Sequence, residues 1–133
     1  MSYVGIPDGT DLVYYPPQKI LGFKSFKEYS IVYFAAPEKP EGFETRTVCG
    51  CLSTYEQKME RHGMLRISRF WLVSKHNVEK VTKDNTVVLR TKFDKLLKLG
   101  AKYRAAFKLK MELALVPLLQ LADFTTNLFD LVG

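Results

Sequence analysis

Between Tyr29 and Ala36 the chain reads YSIVYFAA, and both alternating sets, Ile31/Tyr33 and Val32/Phe34, are apolar. That pattern, rich in β-branched and aromatic side chains, predicts a central strand covered on both faces. A shorter strand is expected at Leu12 to Tyr15, among the turn formers Pro7-Asp8-Gly9 and Pro16-Pro17. After a loop at PEKPEG (37–42), Phe43, Thr45, Thr47 and Cys49 alternate with Glu44, Arg46 and Val48, as in an antiparallel partner with one solvated face. Ser53-Thr54-Tyr55-Glu56 matches a capping box and predicts a short helix near 53–62, stopped at Gly63. Strand character returns from Met64 to Ser74. Leu65, Ile67, Trp71 and Val73 share one face there, and Arg69 is the exception. A hairpin follows, 78–82 and 86–90, turned at Lys83-Asp84-Asn85.

From Thr91 the apolar period changes from two to about 3.6. Phe93, Leu96, Leu97, Gly100, Tyr103, Phe107 and Met111 gather on one side of a helical wheel, with Lys95, Lys98 and Lys102 on the other. One amphipathic helix is expected at roughly 91–116, broken or bent near Gly100 and ended by Pro117, and a second at roughly 118–132. The fold class expected is α+β, in a single domain over 1–133. An antiparallel sheet spans roughly 10–90, with the short helix near 53–62, and the C-terminal amphipathic helices cover it.

Length and composition agree with one core: 133 residues, 47% hydrophobic and 26% charged, which excludes disordered and low-complexity classes. The formal charge of +6 is unevenly placed. Residues 64–110 hold thirteen basic and three acidic side chains, while residues 111–133 hold three acids and no Lys or Arg. Such asymmetry points to a polyanion-binding surface in the central segment.

On the expected helix, Lys95, Lys98 and Lys102 fall at i, i+3 and i+7, a stripe about 10 Å long. Lys92, Lys108 and Lys110 flank the apolar face, and Arg104 falls inside it. Arg66 and Arg69 interleave with Phe70 and Trp71, although they occupy opposite faces of an ideal strand and core packing better suits the two aromatics. With Arg90, these ten basic residues are the candidates for binding nucleic acid, RNA or DNA, with low sequence specificity. The same surface would suit an anionic membrane in a self-assembling, matrix-type protein. A protein-interaction adaptor or inhibitor is a third reading, and the compact, motif-poor chain has the style of a small viral accessory or structural protein. The wide apolar arc of 118–132 marks Leu118, Leu121, Phe124, Leu128 and Phe129 as an oligomer interface, so a homo-oligomer is expected.

No phosphate loop, dinucleotide fingerprint, nucleophile elbow or zincin motif occurs. The expectation is a non-enzymatic protein with no small-molecule substrate and no cofactor. Cys49, Cys51, His62 and His76 lack the spacing of a zinc finger or ribbon, so no metal is expected. With no secretory signal and no apolar run of about 20 residues, a cytoplasmic or nuclear setting is expected, without a transmembrane segment.

Overall fold

The structure, a computed structural model, describes residues 3–113. β4 (Tyr29–Ala35) occupies the interior position its doubly apolar pattern requires, hydrogen-bonded to β3 (Ile20–Phe26) and β5 (Phe43–Cys49). The antiparallel sheet continues from β3 to β7 (Trp71–Ser74) and ends at β6 (Met64–Arg66), in the order β5-β4-β3-β7-β6. Two hairpins are separate sheets: β1 (Val4–Asp8) with β2 (Asp11–Tyr15), and β8 (Val78–Val81) with β9 (Val87–Leu89). Among the described residues the α-helices are α1 (Leu52–Met59) and α2 (Arg104–Leu113). The α+β class stands, but three antiparallel sheets replace the single one expected.

Each face of the central sheet carries its own core. On one side Phe23, Val32, Phe34 and Val48 pack against Val4 and Ile6 of the first hairpin and Leu52, Tyr55 and Met59 of α1. On the other, Leu65, Ile67, Trp71 and Val73 pack against Val78, Val87 and Leu89 of the last hairpin, together with Leu97, Leu99 and Phe107. Phe93 is laid over this second face, stacked 4.4 Å from the Tyr33 ring and 5.4 Å from Trp71. Gly22 makes that approach possible, since a Cβ there would stand 2.8 Å from the Leu72 carbonyl oxygen and 3.1 Å from the Phe93 ring.

Several sequence expectations need correction. Met64 to Ser74 is two strands joined by a tight loop; Leu65, Ile67, Trp71 and Val73 do share one buried face, and Arg69 breaks the alternation because it sits in the loop. Phe70, expected in the core with Trp71, is 50% exposed in that loop. The helix near 53–62 is α1 followed by a 3-10 turn, Glu60–His62, and Gly63 ends it at φ +80°. Its N-cap is Cys51, two residues before the Ser53 expected, so Glu56 is not at the third helical position and pairs with Arg66 instead of closing a capping box.

The largest correction concerns 91–116. The chain from Thr91 to Gly100 is not helical; a 3-10 turn, Ala101–Tyr103, leads directly into α2. Leu97 and Leu99 are buried while Lys98 is exposed, a period of two. The Leu97 carbonyl accepts from the Val87 amide at 2.7 Å, and the Leu99 amide donates to the Asn85 carbonyl at 2.8 Å. Satisfying the free edge of β9 in this way outweighs helical propensity. The Asp94 carboxylate, accepting from the Leu96 amide, holds a local turn that competes with a helix start. The second helix expected, with Leu118, Leu121, Phe124, Leu128 and Phe129, lies outside the described residues.

Candidate nucleic-acid interface

Strand polarity gathers three connections at one end of the central sheet: the β3–β4 turn at Lys27–Glu28, the β5–α1 junction and the β6–β7 loop. The pairs Phe26–Tyr29, Tyr29–Cys49 and Lys24–Trp71 fix that arrangement. The Ser25 amide donates to the Phe70 carbonyl at 2.8 Å, binding the β6–β7 loop to the side of β3. The Gly100 amide donates to the Ile67 carbonyl, also at 2.8 Å, and brings the 3-10 turn with Lys102 beside the same loop. Lys27, Arg69 and Lys102 are therefore presented from one end of the molecule, with Lys24 just inside it on the sheet face.

The loop is held rigid from within by Arg66. Its Nε donates to the Ser68 carbonyl at 2.6 Å, one terminal nitrogen to Glu56 at 2.7 Å and the other to the Arg69 carbonyl at 3.0 Å. The Ile67 amide closes the loop on the Trp71 carbonyl, and the Ser68 hydroxyl accepts from the Phe70 amide. Every arm of the Arg66 fork is thus engaged, and Arg69 and Phe70 are left exposed in the loop.

Cations and aromatics alternate across this end. Arg69 lies 5.0 Å from the Phe70 ring, Lys27 5.8 Å from Phe26, Lys24 5.4 Å from Trp71 and Lys102 5.7 Å from Tyr103. Phe26, Tyr29 and Phe70 are exposed apolar surface between the charges. Among the described residues none of Lys24, Lys27, Arg69 and Lys102 makes an ion pair. One acid, Glu28, stands in the β3–β4 turn.

The remaining expected residues are dispersed, because the helix that would have aligned them does not form. Arg90 and Lys92 lie at the opposite end of the sheet, where Asn77 bonds the Arg90 amide and both polar groups of the Thr91 backbone. Lys95 is exposed beside β9 with Lys92 and Asp94. Lys98 is tied to Asp84 at 2.9 Å across the β8–β9 turn. Bonds from the Thr82 hydroxyl first, then from Lys98, hold the Asp84 carboxyl well below the usual carboxylate range. Arg104 and Lys108 face a groove beside β8, and Lys110 approaches Glu60 at 3.9 Å. Lys95, Lys98 and Lys102 do not form a stripe. Cys49 and Cys51 are exposed free thiols, and no cluster of three His, Cys, Asp or Glu occurs among the described residues.

A family model described as the LytTr DNA-binding domain matches residues 11–112, which span β2 to α2. The chain belongs to the LytTR family. Among solved structures it is similar to the LytTr DNA-binding domain of a protein described as a methyl-accepting/DNA response regulator from Bacillus cereus. The identity is 15%, the TM-score 0.61, and the match covers 84% of this chain and 97% of that one. At that identity the likeness concerns the fold. No curated protein sequence matches the chain.

Of the sequence candidates, Arg69 and Lys102 fall at this loop end, and Lys24 and Lys27 beside them were not among those candidates. Their signal was the pair Lys27-Glu28 between Phe26 and Tyr29, a two-residue hairpin connection that becomes legible only once β3 is recognised. Arg66, another candidate, has its fork turned inward onto Glu56 and the Ser68 and Arg69 carbonyls.

Proposed function

We propose that this LytTR chain binds double-stranded DNA through the loop end, with Lys24, Lys27, Arg69 and Lys102 meeting phosphates. The observation that carries the reading is the convergence of these unpaired cations on loops clamped to one another, within the segment that the DNA-binding family model matches. Strands β4, β3, β7 and β6 are adjacent, so the two central connections span about 14 Å at roughly 4.8 Å per strand. A B-DNA major groove about 12 Å wide accepts protrusions of that size. The exposed Phe26 and Phe70 suit thymine methyls.

Helix α1 does not support the alternative of a recognition helix. The exposed side of α1 and its 3-10 turn mixes Glu56 and Glu60 with Lys58 and Arg61, and Lys58 is occupied by the Gly5 carbonyl. The expectation of low sequence specificity rested on ten basic residues meeting phosphates, and the fold disperses most of them. A DNA-binding family and a sequence without catalytic motifs both favour a non-enzymatic role. Nothing in the family match supports the viral reading.

Fluorescence anisotropy with mixed-sequence duplex DNA, duplex RNA of the same sequence and phosphatidylserine liposomes tests this reading. The triple variant Lys27→Glu, Arg69→Glu, Lys102→Glu is expected to lose DNA binding, whereas Lys92→Glu with Lys95→Glu keeps most of it. Equal binding to RNA or to liposomes, or equal losses in the two variants, would overturn it.

A further inference from the structure

Away from the loop end, a groove of about 470 Å³ runs between β8 and α2. Val78, Val81, Leu99, Phe107 and Met111 line its floor and walls. Lys80, Arg104 and Lys108 stand on its rim with Glu79 and Glu112, so the mouth is charged and the interior apolar. Leu109, 58% exposed on the outer side of α2, extends the apolar surface beyond the groove. An uncovered apolar strip of this kind calls for an occupant.

The chain itself leaves from the groove. Met111 and Glu112, near the end of α2, are lining residues, and residues 114–133 continue directly from them. Pro117 cannot continue the α2 hydrogen-bond ladder, which favours a change of direction there. Residues 118–132 then carry Leu118, Leu121, Phe124, Leu128, Phe129 and Val132 on a single helical arc, with Asp123 and Asp130 on the opposite side. As a helix those residues would be about 22 Å long against about 15 Å for α2, enough to run the whole groove. The acidic pair then points to water. A connection of a few residues gives the segment an effective local concentration of about a millimolar or more, which favours docking within the chain over capture by a second copy.

We propose that residues 118–132 fold back as an amphipathic helix antiparallel to α2 and insert Leu121, Phe124 and Leu128 into the groove between β8 and α2. The inference does not depend on DNA binding. It replaces the oligomer interface expected from the sequence with an intrachain contact on the same residues.

A nitroxide placed by Asn127→Cys, in the full chain carrying Cys49→Ser and Cys51→Ser, gives the test. Selective broadening of the Val78–Val81 amides in the tagged, isotope-labelled chain is expected, because β8 is remote from the tag in sequence. A mixture of labelled untagged and unlabelled tagged chains is expected to show none. Broadening in that mixture would assign the groove to a second copy, and absence of broadening in both samples would leave the segment undocked; either result overturns the proposal. Hydrogen exchange on the unmodified chain is a second reading. Slowed exchange over 118–132, lost in Val81→Asp while β3 and β4 stay protected, supports docking, and exchange at unstructured rates refutes it.

Discussion

Arg66, which ends β6, and Arg69, in the loop that follows, are three positions apart and carry the same charge, yet the geometry gives them opposite tasks, which paired alanine substitutions can separate. If Lys24, Lys27, Arg69 and Lys102 each neutralise one phosphate, log K against log salt has a slope of about −3.6. Affinity should then fall about 150-fold between 50 and 200 mM salt. Arg69→Ala removes one such contact and is expected to bring the slope to about −2.7. Its side chain is exposed, so stability should change by no more than an ordinary surface substitution, about 0.5 kcal/mol, with a correspondingly small shift in melting temperature.

Arg66→Ala behaves differently. It strands the Glu56 carboxylate and the Ser68 and Arg69 carbonyls, with the arginine side chain 13% exposed and its Glu56 partner 39% exposed. After discounting for that solvent access, the loss is about 2 kcal/mol, a fall in melting temperature of roughly 8 °C for a domain of this size. Because Arg66 meets no phosphate, the variant should bind more weakly with an unchanged salt slope: the loop loses its preorganised form but no counterion-releasing charge is removed. Thermal melts with salt titrations by anisotropy read both quantities. A slope shifted by about one unit in Arg66→Ala, or a melting temperature depressed as far in Arg69→Ala as in Arg66→Ala, would refute this division of labour.

Lys27 sits at φ +56°, where a side chain is strained, so Lys27→Gly should raise or preserve thermal stability while weakening DNA binding; losses in both would show that the lysine supports the turn. Gly22→Ala should cost about 1–3 kcal/mol, because its Cβ meets the Leu72 carbonyl and displaces Phe93, and a denaturant midpoint equal to the parent's would contradict the packing described. The Asp84 carboxyl titrates low in the folded chain, so its stabilising contribution is complete above about pH 4 and is lost as pH falls through the lowered value. Carbon-detected titration should move its midpoint upward in Thr82→Val and, to a smaller degree, in Lys98→Ala; a midpoint at the ordinary aspartate value in the parent would contradict the network. Cys51 is held below the usual thiol range mainly by the Thr54 hydroxyl, so Thr54→Val should slow alkylation of Cys51 near neutral pH.

What could be read from the sequence divides according to whether the signal was local. β4, β5, the β8–β9 hairpin and α1 each carry their pattern within ten residues, and each forms close to where that pattern places it. β3 hides behind Gly22, whose missing side chain interrupts the apolar alternation because Phe93, some seventy residues later, fills the space. Residues 91–100 were misread for a related reason. Leu96, Leu97 and Phe93 fit a helical wheel, but the unpaired edge of β9 recruits Leu97 and Leu99 as a strand-like cover. Once that segment unwinds, the lysine stripe no longer exists, and the charge excess of 64–110 becomes several separate groups. The group that makes no ion pair among the described residues lies where the turn at Lys27, the loop at Arg69 and the 3-10 turn at Lys102 converge, and two backbone bonds, Ser25 to Phe70 and Gly100 to Ile67, bring that convergence about. Net charge located the binding segment only coarsely, since which cations act together depends on antiparallel strand polarity, and polarity is decided by long-range pairing that no window along the chain contains.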